Sequence, residues 1–386
     1  MTAMNVVFRV DASIQMGTGH VMRCLTLAKE LYQQGAECSF MCRNHAGNLI
    51  EKIAQAGFKV YTLGADENNN SAELSINEQN QCKQRQPLFH ADWLGTTQWQ
   101  DITECLGILQ KLQADWLIVD HYALDKRWEQ RLQPYYNKLM VIDDLGDREH
   151  LADILLDQNY GATTAKYQGL VPNSCTVLAG TQFALLRDEF AQWRAYSLER
   201  RGNSFDHNKK PERKGSSVIN NILITLGGAD PENYTGALLA QLASIEMSPH
   251  VVITVVMGAT APHLQAIQQQ AASMPVRTIV KTNVSNMAEL MSHADLAIGA
   301  AGATTWERCC LSLPTIQIVT AENQRRIAED LAKDNIIKLL NDVNELPEVL
   351  KDIESWIMPL ANSAKHVTDG LGVKRVVDYM LQGYQL

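Results

Sequence analysis

The opening of the chain leaves little freedom in how it can fold. Asn5–Val10 is a β-branched and aromatic run that reads as a buried strand. A glycine-bearing turn follows, and then Val21, Leu25, Ala28 and Tyr32 recur at helical spacing. This order places Gly17, Gly19 and His20 at the carboxyl end of a first strand, where open α/β sheets bind ligands. Backbone N–H groups at a helix start favour an anion such as a diphosphate. The turn then reads as a phosphate cradle with a titratable imidazole attached. The alternative on spacing alone is a tight turn, with glycines supplying positive φ and His20 capping the helix. Met22 stands at the third glycine position of G-x-G-x-x-G, so the dinucleotide fingerprint is incomplete, and no Lys-Ser or Lys-Thr follows to make a P-loop.

The pattern continues and then restarts. Glu37–Cys42, Phe58–Leu63, Trp116–Asp120 and Lys138–Asp143 read as strands, with helices over Asn48–Ala56, Ile102–Leu112 and Asp125–Leu132. Alternation of this kind predicts a parallel, doubly wound sheet. Ala65–Gln86 is polar and reads as a long loop. Ser197–Ser217 is basic and carries Gly and Pro, the marks of a solvated linker, with a basic binding patch as the alternative. Beyond it, Val218–Leu226, His250–Met257, Val276–Lys281, Asp295–Gly299 and Pro314–Val319 read as a second set of strands. The predicted organisation is a domain over 1–196, a linker over 197–217 and a domain over 218–386, with a ligand in the cleft between two α/β halves.

Composition narrows the function. The net charge is −9, which argues against a nucleic-acid surface as the main partner. An anionic ligand must therefore be held by helix starts and a few arginines. Residues 1–195 carry 17 Lys/Arg against 23 Asp/Glu, which gives no hint of a membrane-docking face. No run of 18 apolar residues or signal-peptide layout appears, so the cytoplasm is the expected location. The eight cysteines form no C-x-x-C pair. Cys38 and Cys42 with His45 are the nearest thing to a metal cluster, but both cysteines fall in a strand pattern and read as small buried hydrophobes. No metal and no cofactor is expected.

Several strand ends could carry chemistry. Val119-Asp120-His121-Tyr122 ends an apolar strand in three polar side chains, of which Tyr122 is the best suited to hydrogen-bond a sugar hydroxyl or amide, with a structural tyrosine as the alternative. Asp143 and Asp144 are adjacent acids on a strand end; neighbouring strand residues face opposite ways, so they are not a coupled dyad, and one of them reads as a turn acid. Gly227-Gly228 closes the first strand of the second half. Gly299–Thr305 sets another glycine turn before a helix, a second anion site, where Thr304 and Thr305 can cap or touch phosphate. Glu307 lies in the first turns of that helix. A carboxylate repels phosphate, so it reads either as a ribose ligand or as an acid complementing the helix dipole. Two anion turns and an acid for ribose describe a nucleotide-diphosphate ligand.

These segments, in this order, resemble the PseG/SpsG family of bacterial nucleotide-sugar hydrolases. The resemblance is carried by Arg9-x-Asp11-Ala12-Ser13 through Gly17-x-Gly19-His20-Val21-Met22-Arg23-Cys24-Leu25, His90–Gly95, Val119–Tyr122, Ile142–Asp144, Leu185–Phe190, Ala301–Glu307 and Ala321–Gln324. It implies the two-domain GT-B fold, with two Rossmann-like doubly wound domains facing a cleft, and a distant relation to the glycosyltransferase MurG. It implies metal-independent removal of UDP from UDP-2,4-diacetamido-2,4,6-trideoxy-β-L-altropyranose, a step in pseudaminic acid synthesis. On the resemblance, His20 is the catalytic histidine, Tyr122 an active-site tyrosine and Glu307 the ribose ligand. The substrate-binding positions expected with them are Asp11, Gly17, Gly19, Arg23, Asp144, Gly227, Gly228, Gly302, Ala303, Thr304 and Asn323. Trp306 stands where some members have a polar residue, so no polar contact is expected from it.

As chemistry, His20 would activate water for attack at the sugar C1 with inversion, its imidazole kept neutral by the helix N-terminus. Backbone N–H groups after Gly302 would stabilise the departing UDP. The competing readings are a GT-B glycosyltransferase whose acceptor hydroxyl replaces water, a nucleotide-sugar-binding protein without turnover, and the same hydrolysis on another nucleotide-linked sugar. The expected partner is a small-molecule UDP-sugar, or in the last reading a UDP- or CMP-linked sugar, with no nucleic acid and no membrane; the sequence does not fix the oligomeric state.

Overall fold

The computed structural model describes residues 3–64, 88–204, 219–320 and 322–382. The expected loop 65–86 and the part of the expected linker from residue 205 onward lie outside them. The described chain forms two compact units, residues 1–185 with 373–386, and residues 186–372.

The first unit is built on seven parallel strands: β1 (Asn5–Val10), β2 (Glu37–Arg43), β3 (Lys59–Leu63), β4 (Ala114–Asp120), β5 (Tyr136–Ile142), β6 (Ile154–Asp157) and β7 (Thr176–Ala179). Their order is β3-β2-β1-β4-β5-β6-β7. Strand periodicity sends Val6, Phe8 and Val10 to one face and Val7 to the other. Helix Gly19–Gln33 covers the first face through Cys24, Leu27, Ala28 and Leu31, while Leu109, Trp128 and Leu132 cover the second. Both faces are buried, as a parallel sheet requires.

The second unit repeats the plan with six parallel strands: β8 (Asn221–Thr225), β9 (Val252–Met257), β10 (Arg277–Thr282), β11 (Leu296–Ala300), β12 (Thr315–Ile318) and β13 (Lys338–Leu340). The order is β10-β9-β8-β11-β12-β13. In each sheet the strand order reverses beside the first strand, between β1 and β4 and between β8 and β11. Ligands bind at such switch points, outside the carboxyl ends of the strands.

The boundaries differ from the sequence expectation at two places. Residues 186–196, expected in the first domain, and 197–204, expected in the linker, form one helix, Asp188–Ser204, that belongs to the second unit. Its basic residues read as solvated, yet Arg201 is buried and donates to the carbonyls of Met291, Ala294 and Leu311. Those carbonyls close two neighbouring helices, where a cation satisfies unpaired acceptors and the negative end of the dipole. At the other end, helix Gly372–Gln382 belongs to the first unit and not to the second. Val373, Val376, Val377 and Met380 form its buried stripe against the first core.

Candidate functional site

The switch point of the first sheet assembles a polar cluster. β1 and β4 are neighbours, with Val10 opposite Asp120, so the turn leaving β1 meets the end of β4. In that turn the Gly17 N–H donates to the Ser13 carbonyl at 2.8 Å, and Gly17 has φ +74°, a conformation suited to glycine. Gly19 is the first helical residue and has ordinary φ; a Cβ there would meet nothing within 4 Å. Its lack of a side chain leaves open space above the helix start.

His20 follows on the first turn of the helix. Its Nδ1 lies 2.6 Å from Asp120 Oδ1, and its side chain keeps 11% exposure while Asp120 keeps none. Arg23, three residues on, shares that helix face. Its Nε and Nη2 donate to the two oxygens of Asp120 at 2.6 and 2.7 Å, a bidentate pair. A third nitrogen, Nη1, is 3.4 Å from Asp144 Oδ2.

Tyr122 donates its hydroxyl hydrogen bond to Asp144 Oδ1. Burial, reinforced by the Asp144 carboxylate, pushes its phenol well above the usual range, so it is a neutral donor. Its ring lies edge-on to His20 at 4.7 Å between centroids and stacks on Trp93 at 5.6 Å. His90 closes the group, 4.3 Å from Trp93 and 5.3 Å from Tyr122. Burial lowers the His90 pKa.

The adjacent acids separate as strand geometry demands. Asp143 turns inward to Arg148 Nη1 (2.7 Å) and the Gly146 N–H (2.9 Å), the turn acid of the pair, while Asp144 joins Arg23 and Tyr122.

Asp11, expected among the substrate ligands, lies beneath the cluster. It is buried, accepts the Arg43 N–H at 2.6 Å and pairs with Arg9 at 2.7 Å. His121 Nδ1 accepts the Ala123 N–H, so a neutral ring carries its proton on Nε2, which lies 3.2 Å from Asp11. Arg9 also binds Asp101, which accepts from Arg43 and Trp128. These buried charges brace the strand ends beneath the cluster.

In the second unit the two glycine turns differ. After β8, Gly227 and Gly228 are exposed, but the following helix start is already capped. Asp230 accepts from the N–H groups of Tyr234 and Thr235, and Asn233 from that of Gly236. A carboxylate at that helix start disfavours an anion, so Gly227 and Gly228 offer a ligand only their own backbone. After β11, Gly302 and Ala303 are exposed and helix Thr304–Cys310 has no side-chain cap. Behind this turn Arg308 is fully buried, donating to Thr304 Oγ1, Thr305 Oγ1, the Ala300 carbonyl and Gln317. Gly299 makes room for it, since a Cβ there would stand 2.6 Å from Arg308 Nη1.

Glu307 is mostly covered, with its carboxylate 3.3 Å from Arg187 Nη2. Burial raises its pKa, against the opposing pull of Arg187. Trp306 is buried and presents nothing polar to a ligand. Asn323 lies in the short turn Glu322–Gln324.

Sequence reasoning missed Asp120 as a site residue, although it stood in a quoted segment as the polar end of an apolar strand. It also gave His90 and Trp93 no role. Cys38 and Cys42 sit in β2; Cys42 belongs to the core and Cys38 Sγ contacts the Ala28 carbonyl. Among the described residues no group of three metal-ligating side chains gathers, and no helix is long and apolar enough to cross a membrane.

Comparison with known proteins bears on both units. Residues 221–371 match the glycosyltransferase family 28 C-terminal domain. The chain is 28% identical over 332 residues to the UDP-2,4-diacetamido-2,4,6-trideoxy-β-L-altropyranose hydrolase of Campylobacter jejuni, covering 86% of this chain and 97% of that protein. It is 27% identical over 174 residues to the spore coat polysaccharide biosynthesis protein SpsG of Bacillus subtilis, covering 43% of this chain and 51% of that one. In fold it is similar to MurG of Acinetobacter baumannii, with a TM-score of 0.63 at 16% identity over 98% of this chain and 99% of that one. The chain is a relative of the PseG/SpsG proteins with a two-domain Rossmann-like GT-B fold, and residues 221–371 of its second unit are similar to the glycosyltransferase family 28 C-terminal domain.

Proposed function

We propose that this protein hydrolyses a UDP-linked diacetamido-trideoxy sugar, UDP-2,4-diacetamido-2,4,6-trideoxy-β-L-altropyranose, to the free sugar and UDP. The observation that carries the reading is the His20–Asp120 contact. With Nδ1 engaged by a buried carboxylate, the nitrogen left for chemistry is Nε2, on a ring at the switch point of the first sheet. That nitrogen takes a proton from water as the water oxygen bonds to C1 with inversion. The C1–O bond to the β-phosphate breaks, and its electrons leave with UDP. Charge growing on the β-phosphate is met by backbone N–H groups of the uncapped turn at Gly302–Thr304. Glu307 accepts from the ribose hydroxyls. Trp93 and Tyr122 supply an apolar wall suited to a sugar with few hydroxyls. The likeness to the Campylobacter jejuni hydrolase supports this substrate.

The second reading is transfer, with an acceptor hydroxyl in place of water. It draws on the match of residues 221–371 to a glycosyltransferase domain. UDP release from the altropyranose substrate in ¹⁸O-labelled water, with EDTA and no acceptor, tests both. Label on the sugar supports hydrolysis at C1. Label on UDP overturns the mechanism. Release that awaits an added acceptor moves the assignment to transfer.

A further inference from the structure

We propose that Arg23 and Asp120 are positioning residues, a charge-balanced pair that fixes the proton of His20 on Nδ1 and sets the pH range in which Nε2 works as a base. The proposal rests on the reading of His20 as the base, and it removes Arg23 from the expected substrate ligands.

The geometry is closed on three sides. Asp120 Oδ1 receives both His20 Nδ1 at 2.6 Å and Arg23 Nη2 at 2.7 Å, and Oδ2 receives Arg23 Nε at 2.6 Å. Arg23 Nη2 also lies 3.2 Å from His20 Nδ1. An arginine has no acceptor and cannot give up its proton in a protein, so this nitrogen repels an N–H and does not bond it. The Asp120 carboxylate has no hydrogen to donate, so its 2.6 Å contact makes His20 Nδ1 the donor, and the carboxylate orients both donors. Nδ1 therefore carries the hydrogen and Nε2 the lone pair.

The charge state follows from the same contacts. Burial by itself would raise the Asp120 pKa, but Arg23 and then His20 outweigh it and hold the carboxyl well below the usual range. Asp120 thus stays ionised when His20 gains a proton, and no proton passes to it. The imidazolium formed during turnover sees a carboxylate already matched by a guanidinium. Other groups facing His20 are Tyr122, also from the end of β4, Asp144 after β5, and His90 and Trp93 from residues 90–94. Tyr122 is neutral and its proton is committed to Asp144. The charge on Asp144 is shared with Arg23 at 3.4 Å. Removing either member of the pair leaves the other uncompensated beside the ring.

The two removals act in opposite directions. In Arg23→Met the lone Asp120 favours imidazolium, and the acid limb of kcat against pH moves to higher pH by about 1 pH unit. In Asp120→Asn the unmatched Arg23 disfavours imidazolium, and the limb moves to lower pH. The tautomer is also released, so the plateau falls at least roughly 100-fold. KM changes little in both, and Arg23→Lys lies between Arg23→Met and wild type. Shifts in the same direction, no shift, or a loss confined to KM would overturn the proposal.

A second readout needs no substrate. ¹⁵N NMR of His20 in the wild-type protein is expected to show Nδ1–H and a lone pair on Nε2. Nε2–H with UDP still released would overturn the pair and leave the hydrolase reading intact. Nδ1–H without UDP release from any nucleotide sugar would overturn the hydrolase reading and support the pair. This measurement decides even where a variant fails to fold.

Discussion

His20 and Asp120 are separated by 100 positions in the chain and by 2.6 Å between Nδ1 and Oδ1. The parallel pairing of β1 with β4, past the two strands on the other side, creates that contact. It leaves a histidine on a glycine turn with its Nδ1 engaged by a buried carboxylate.

If His20 is the base, His20→Asn lowers kcat by roughly 10²–10⁴-fold while the fold persists. Its side chain is partly open and belongs to neither core, so the thermal midpoint should stay near that of wild type. Near-normal UDP release from a folded variant would remove the assignment.

How much of this was legible follows from the range over which each signal acts. Asn5–Gln33 announced itself because strand and helix periods are local. β6 and β7, four residues each, did not. The helix Asp188–Ser204 was hidden by composition, because the carbonyls that satisfy Arg201 belong to Met291, Ala294 and Leu311, about a hundred residues away. The site divides in the same way. His20 was visible from its turn, but its partner depended on strand order. Asp11 sat in the right motif, yet its burial against Arg9, Arg43 and His121 was not written in the spacing.

That buried network predicts acid sensitivity. Asp11 and Asp101 are buried, and their arginine and histidine partners outweigh burial and lower their pKa values. A depressed carboxylate contributes stability that is present above its unfolded value, about 4, and lost as pH falls through its folded value. His121 adds to this from the other side. Burial lowers its pKa, so the unfolded chain takes up a proton first, below about pH 6.5. The urea midpoint of the first unit should fall between pH 7.5 and 5.5 and then more steeply near pH 4. A flat profile across pH 7.5–5.5 would count against the buried neutral His121.

Two glycines separate space for a ligand from space for the fold. Gly19→Ala adds a Cβ with no neighbour within 4 Å, so stability should change by no more than about 0.5 kcal/mol. If the substrate passes over that turn, KM rises. Gly299→Ala places a Cβ 2.6 Å from Arg308 Nη1 inside the second unit and should cost about 1–3 kcal/mol of stability. A Gly19→Ala protein with unchanged KM would place the substrate elsewhere.

Glu307 has two roles to choose between, and binding data separate them. As a ribose ligand, its carboxylate makes charge-assisted hydrogen bonds worth about 1.5–3 kcal/mol, so Glu307→Ala should weaken UDP by roughly 10- to 150-fold. Pyrophosphate, which has no ribose, should bind the variant as it binds the wild type. As a helix-dipole acid in Thr304–Cys310, its loss would cost only about 0.3–1 kcal/mol of stability and leave the UDP-to-pyrophosphate ratio untouched. Burial raises the Glu307 pKa, so the carboxylate protonates earlier on acidification than an exposed glutamate would. A ribose ligand of this kind makes UDP affinity fall as pH drops toward that raised value, and Glu307→Gln should bind UDP with a flatter pH profile. Calorimetry of UDP and pyrophosphate on the three proteins decides the matter. An unchanged ratio with a small stability loss assigns Glu307 to the helix and leaves the nucleotide to be held by the turn alone.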